Sequence, residues 1–206
     1  IAARNALQCS GITADEIDCI VLGTSTPDMC LPPTACLVQN NIGAKNAFAF
    51  DMNAVCSSFV FAMEIADNLI CSGRYKTVMA IGADTYSRIL DFEDKSTCPL
   101  FGDGAGAVIL RACADPEKGI LSTYMRSDGS GWPLIQVPSS GSRKPISAET
   151  IAQRENTFKM AGKQVYVFAT GVIPEVITEL CHKAGVSPSD LTYIIPHQAN
   201  IRMIDF

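Results

Sequence analysis

The sequence predicts an α/β fold, and three observations carry that reading. Residues 17–23, 47–55 and 77–83 are short apolar runs of strand length. Between them Thr34 opens one helix, and residues 57–70 have the composition and spacing of another. The run at 77–83, Thr-Val-Met-Ala-Ile-Gly-Ala, is nearly free of polar residues, as expected of a strand covered on both faces by helices.

Taken in order, residues 1–9 read as an amphipathic helix and 17–23 as a buried strand. A loop at 24–33, rich in turn formers, leads to Thr34, which opens the next helix. After the extended run at 47–55, Phe59, Met63, Ala66 and Ile70 repeat at three- and four-residue spacing, and Gly73 supplies the stop. Residues 107–110 and 119–125 read as consecutive strands, followed by a Gly/Pro/Ser-rich connector or insertion over 127–147. A second amphipathic helix spans 165–182, with Pro174 expected to kink or restart it. A turn at 186–191 precedes a short apolar strand that ends at Pro196.

Composition narrows the functional classes. Of 206 residues, 48% are apolar and 18% charged, enough for a sizeable core in one or two domains. The net charge of -5 argues against a nucleic-acid partner. No uninterrupted apolar run approaches the roughly 20 residues of a membrane span, so no membrane partner is expected. Nine cysteines form no Cys-x-x-Cys pair and only two histidines accompany them, which argues against a metal site or a disulfide framework and for a cytoplasmic, reducing compartment.

Cys56 stands where the extended run 47–55 meets the helical run 57–70. A thiol there lies beside unpaired backbone N–H groups and the positive end of a helix dipole, both of which favour thiolate, so the position suits a nucleophile. Its partner by residue type is His197, which follows the apolar run 193–195. Open α/β sheets gather reactive groups at the carboxyl ends of their strands, which allows residues distant in sequence to meet. His182, flanked by Cys181 and Lys183 near a helix end, complements the helix dipole instead. The cluster Gly102-Asp103-Gly104-Ala105-Gly106-Ala107 is superficially a dinucleotide loop, but a strand follows it where phosphate binding needs a helix. Small residues that let backbones pass closely are the alternative reading, with Asp103 in an Asx-type turn.

Four motifs occur in order: Asp51-Met52-Asn53-Ala54-Val55-Cys56-Ser57-Ser58-Phe59, Phe101-Gly102-Asp103-Gly104-Ala105-Gly106-Ala107, Met160-Ala161-Gly162-Lys163 and Pro196-His197-Gln198-Ala199-Asn200. Together they resemble the landmarks of the β-ketoacyl-acyl-carrier-protein synthase III family, the initiating condensing enzymes of fatty acid synthesis. The resemblance covers nearly the whole chain, and the Pro-His-Gln-Ala-Asn block discriminates most.

The resemblance implies a thiolase-like layered αβαβα architecture, here incomplete. Residues 1–112 would be the N-terminal half without its first strand, 113–155 a connector, and 156–206 the start of the C-terminal half. The family's active-site asparagine and a glycine-rich oxyanion loop are expected beyond Phe206, which makes this an internal segment. The implied reaction is a decarboxylative Claisen condensation of an acyl-CoA starter with malonyl-acyl-carrier protein. No cofactor is expected, because the coenzyme A thioester is itself the substrate.

By the same resemblance Cys56 carries the acyl group and its backbone N–H serves the oxyanion hole, while His197 stabilises the enolate. Asn200 organises the histidine's hydrogen bonds or caps a helix. Arg202 docks the acidic carrier protein or is simply an exposed cation. Lys95 holds the place of an arginine near the coenzyme A entrance, keeping the charge but losing the planar fork. Leu31 crosses the interface of a homodimer into the partner's acyl pocket, or is an ordinary buried loop leucine. A thiolase-like or hydroxymethylglutaryl-CoA-synthase-like acyltransferase shares the Cys-His chemistry, a nicotinamide oxidoreductase follows from the α/β pattern and glycines alone, and an inactive segment is the third alternative.

Overall fold

The computed structural model describes residues 1–115 and 118–205. The chain packs as two compact units, Ile1–Thr85 with Asp103–Ile120, and Tyr86–Gly102 with Leu121–Phe206.

The first unit is a four-stranded sheet with helices on both faces. Its strands are β1 (Cys19–Gly23), β2 (Phe48–Met52), β3 (Thr77–Thr85) and β4 (Asp103–Arg111), and its helices are α1 (Ala2–Ser10), α2 (Thr34–Ile42) and α3 (Ser58–Cys71). The spatial order is β2-β1-β3-β4, with β1 parallel to both β2 and β3, and β4 antiparallel to β3. Every residue of β1 is buried, as its unbroken apolar run predicts.

Alternation along the strands sorts the core into two layers. Ile20, Leu22, Met79 and Ile81 pack with Ala3 and Ala35, on the side of α1 and α2. Cys19, Val21, Val78 and Ala80 pack with Ala62 and Ala66 of α3 on the other side. The connections dictate this arrangement. From β1 the chain steps outward through α2 to β2; from β2 it steps back across β1 through α3 to β3. With crossovers of one hand, opposite steps put the two helices on opposite faces. The loops leaving β1 and β2 therefore part to opposite sides of the sheet, and a crevice opens between their carboxyl ends.

The second unit is centred on Tyr86, Leu90 and Phe158, with Phe101 stacked 5.4 Å from Tyr86 and tilted at 4.8 Å from Phe158. It holds a small antiparallel pair, β5 (Ile135–Gln136) with β6 (Lys159–Met160). Its helices are α4 (Ala148–Ala152), α5 (Gly162–Ala184) and α6 (Ile201–Ile204).

Several expectations are corrected. Residues 119–125 form no strand; Ser122 instead donates to the Leu180 carbonyl of α5 at 3.0 Å, and Lys183 donates to the Thr123 carbonyl at 3.1 Å. Residues 193–195 are likewise not a strand, because no neighbouring strand among the described residues pairs with them. Pro174 does not restart the second helix, which runs through as α5. The glycines at 102, 104 and 106 are not at a close backbone crossing, since nothing among the described residues lies within 4 Å of a Cβ added at any of them. Finally, α5 is long and apolar enough to cross a membrane by length and composition alone. Scattered polar residues interrupt its apolar run. Among them, Glu175 pairs with Arg126 at 2.8 Å, both side chains being exposed.

Candidate active site

The site begins with the turn that joins β2 to α3. Residues Val55–Ser57 form one turn of 3-10 helix ahead of Ser58. Asn53 Oδ1 accepts the Val55 N–H at 2.9 Å, and Ser58 Oγ reaches back to accept the Ala54 N–H at 2.8 Å. Two side chains thus satisfy donors that a bare helix start would leave unpaired. Val55 has a φ of 50°, in the left-handed region. For a β-branched residue that conformation is a true outlier, and it persists only where the surroundings enforce it.

What enforces it is the seating of α3 on the sheet. Gly23, the last residue of β1, is the paired neighbour of Gly82 in β3. A Cβ on Gly82 would meet Phe59 Cβ at 3.0 Å, and one on Gly23 would collide with Ser58. Both glycines are bare because the start of α3 presses directly on the strands. Cys56, in the 3-10 turn, is consequently held above the carboxyl edge of the sheet with its side chain exposed.

The electrostatics run against the expectation from sequence. The Cys56 thiol is pushed above the ordinary cysteine range, first by burial and second by the negative charge of Asp84, with a backbone hydrogen bond acting in the opposite direction. The side chain reaches solvent, yet protein around the sulfur removes enough water for desolvation to dominate. Donors at the helix start do not outweigh these two effects. Asp84 was not signalled by the sequence, since it ends an ordinary-looking strand. It accepts from the Ser25 N–H and hydroxyl at 2.8 Å each, from the Thr26 hydroxyl at 3.0 Å and from the Thr24 hydroxyl at 3.4 Å. The carboxylate thereby ties down the loop after β1. Asp51 does the same for α2, accepting the N–H groups of Thr34 and Ala35 at 2.7 Å each.

Leu31, on that same loop, is 82% exposed, which rules out the buried-leucine reading. Cys56, Leu31 and Asp84 belong to the first unit; Lys95, His197, Asn200 and Arg202 belong to the second. His197 is exposed in a segment without regular secondary structure just before α6. Asn200 caps α6, its side chain accepting the Arg202 N–H at 3.0 Å, so the capping alternative is realised. The Arg202 side chain is exposed. Lys95 lies exposed in a turn rich in acids.

A family model for 3-oxoacyl-acyl-carrier-protein synthase III matches residues 50–129, the interval that contains the Cys56 turn, α3, β3 and β4. The similarity extends further. The chain is 45% identical over 203 residues to β-ketoacyl-acyl-carrier-protein synthase III of Syntrophomonas wolfei, a match covering 98% of this chain and 61% of that protein. The chain is thus similar to the 3-oxoacyl-acyl-carrier-protein synthase III family. The synthase III of Clostridioides difficile is 46% identical, again over 98% of this chain and 61% of its own length. Among solved structures of the family, the Aquifex aeolicus synthase III superposes with a TM-score of 0.87 at 40% identity, covering 98% of this chain and 61% of that one. The Pseudomonas aeruginosa synthase III gives 0.88 at 37% identity, covering 99% and 60%. The chain thus spans about three fifths of the length of the curated relatives it matches, 61% in both cases above. The thiolase-like α/β class expected from the motifs holds for the part present, with its parallel-dominated sheet.

Proposed function

We propose that the protein is an acyltransferase that condenses an acyl-CoA starter with malonyl-acyl-carrier protein to give 3-oxoacyl-acyl-carrier protein, the initiating step of fatty acid synthesis. The observation that carries this reading is the position of Cys56, an exposed thiol on a strained turn at the start of α3 and at the carboxyl edge of a family-typical sheet.

In the first half-reaction the Cys56 sulfur bonds to the thioester carbonyl carbon as the bond to coenzyme A breaks, and the thiol proton leaves with coenzyme A. This covalent step divides one transfer into two easier ones. In the second, the malonyl group loses carbon dioxide and the electron pair stays behind as an enolate. The enolate carbon attacks the acyl carbon, and Cys56 is released and reprotonated. Charge builds on the thioester oxygen in both steps, where the Cys56 N–H is the proposed donor. His197 is the proposed donor to the enolate, with Asn200 supporting its loop by capping α6. Arg202, an exposed cation, suits encounter with an acidic carrier protein. Lys95 is the proposed phosphate contact at the coenzyme A entrance.

Leu31, exposed on the loop after β1, supports a homodimer in which it enters the partner's acyl pocket. All nine cysteines are free, which supports a cytoplasmic site of action.

The full-length protein, incubated with acyl-CoA, should gain one acyl adduct in its intact mass and lose it in Cys56→Ala. His197→Ala should still acylate but should release no carbon dioxide from malonyl carrier protein. Persistence of the adduct without Cys56 would refute the assignment, and acylation without any carbon dioxide release in the parent would point to a non-decarboxylating relative.

A further inference from the structure

The loop that leaves β1 and enters α2 changes its burial along the way. Thr24 is buried, Ser25, Thr26, Pro33 and Thr34 are half-buried, and 27–32 are exposed throughout. Among the described residues, no backbone–backbone hydrogen bond holds any of 25–32. Side chains therefore fix the path of this loop.

Its two ends are pinned for different reasons. At the far end Asp51 accepts the first N–H groups of α2, and Thr34 Oγ1 accepts the Asp28 N–H at 3.0 Å. A helix start needs such acceptors whatever the loop does. At the near end, donors from Thr24, Ser25 and Thr26 converge on one oxygen, Asp84 Oδ1. The Thr26 hydroxyl in turn accepts the Thr85 N–H at 2.7 Å, so the grip extends to the last residue of β3. No helix or strand requires this second anchor. What it does is hold the loop itself.

Between the anchors stands Leu31, 82% exposed. Releasing one end of a loop lets its tip sample more positions, because the lost contacts no longer offset the entropy of ordering it. A pocket distinguishes acyl chains that differ by a methylene or two only while its wall stays in place.

We infer that Asp84 is a positioning residue for acyl-chain selection: by holding the near end of the loop it fixes how far Leu31 projects, and so which acyl lengths are accepted. The inference rests on the reading that Leu31 enters the partner's acyl pocket, and it adds the carboxylate that sets the reach of that leucine.

The test follows acylation of Cys56 by intact mass in the full-length protein, with acetyl-, butyryl-, hexanoyl- and octanoyl-CoA in turn. The readout is the ratio of the fastest to the slowest rate. Asp84→Ala should lower this ratio by about tenfold, within the range set by a methylene or two. Asp84→Asn keeps an acceptor oxygen but not the charge, so it should retain the ratio even where all four rates change together. Thr26→Val leaves Asp84 in place and should lower the ratio in the same direction, which keeps the test open if Asp84→Ala does not fold. In a Leu31→Ala background, Thr26→Val should lower it no further. A merely structural role would slow all four substrates alike. The inference is overturned by a parent that accepts all four equally, by the parent's ratio in Asp84→Ala or Thr26→Val, or by an undiminished Thr26→Val effect without Leu31. The parent's ratio in Leu31→Ala would refute the pocket reading of Leu31 and the inference with it, whereas a lowered ratio there but not in Asp84→Ala would overturn the inference alone. Because acylation precedes condensation, a parent that acylates selectively but releases no carbon dioxide would refute the proposed reaction and leave the role of Asp84 standing.

Discussion

Gly23 lies so close beneath Ser58 that a Cβ added to it would stand 2.5 Å from Ser58 Cβ, and 2.8 and 2.9 Å from the Ser58 carbonyl carbon and oxygen. One residue ends β1 and the other begins α3. This contact sets the height of the Cys56 turn above the sheet. Gly23→Ala should therefore cost about 1–3 kcal/mol by overpacking, read as a lower urea midpoint. Adding Ser58→Gly should not rescue it, because backbone atoms are part of the collision. A midpoint equal to the parent's would mean that the helix start can shift freely.

Val55→Gly has the opposite expected sign. Replacing a half-exposed valine with glycine ordinarily loses stability, but a left-handed conformation costs a residue with a Cβ about 1–2 kcal/mol and glycine almost nothing. The variant should unfold at or above the parent's temperature in a thermal melt. A marked loss would show that Val55 contributes more through packing than it costs in backbone strain.

The raised Cys56 titration has a direct readout in alkylation by iodoacetamide as a function of pH. The inflection should fall above the ordinary cysteine value of about 8.5. Asp84→Asn removes the neighbouring charge but keeps an oxygen for the Ser25 and Thr26 donors, so the inflection should move down and the rate at pH 7 should rise. An unchanged profile would leave burial as the only cause.

Acid should loosen the turn at 91–97. Asp91 is held below the usual carboxylate range first by the Glu93 N–H and then by Arg154, and Asp94 first by the Ser96 hydroxyl and then by that of Thr97. A carboxylate lowered by folding stabilises the native state fully above its unfolded value, about pH 4, and loses that contribution as pH falls through its folded value. Urea midpoints should therefore be level above pH 5 and drop below pH 4. Asp91→Asn should start lower and drop less, and a parallel decline in both proteins would exclude Asp91 as a source.

Local pattern made much of this legible. β1 and β3 stand out because burial on both faces requires an unbroken apolar run, and α3 because Met63, Ala66 and Ile70 recur at helical spacing before Gly73, whose φ of 74° suits a residue past a helix end. The motif around Cys56 is contiguous, so it too can be read directly. The apolar runs at 119–125 and 193–195 misled for the same reason, since a strand exists only through a neighbour that the run itself does not contain.

Spacing and burial pattern were enough to determine the α/β class and, to within a few residues, β1, β2, β3 and α3, and the position of Cys56 with the motif resemblance gave the nucleophile candidate, whereas β4 begins at Asp103, inside the glycine cluster read as preceding it. Only the folded chain decided that Gly23 must lack a side chain, that Val55 is strained, and that Asp84 raises the thiol its surroundings were expected to acidify. Each of these depends on atoms from separate strands and loops meeting within a few ångströms, and such distances are set by the order in which strands join the sheet.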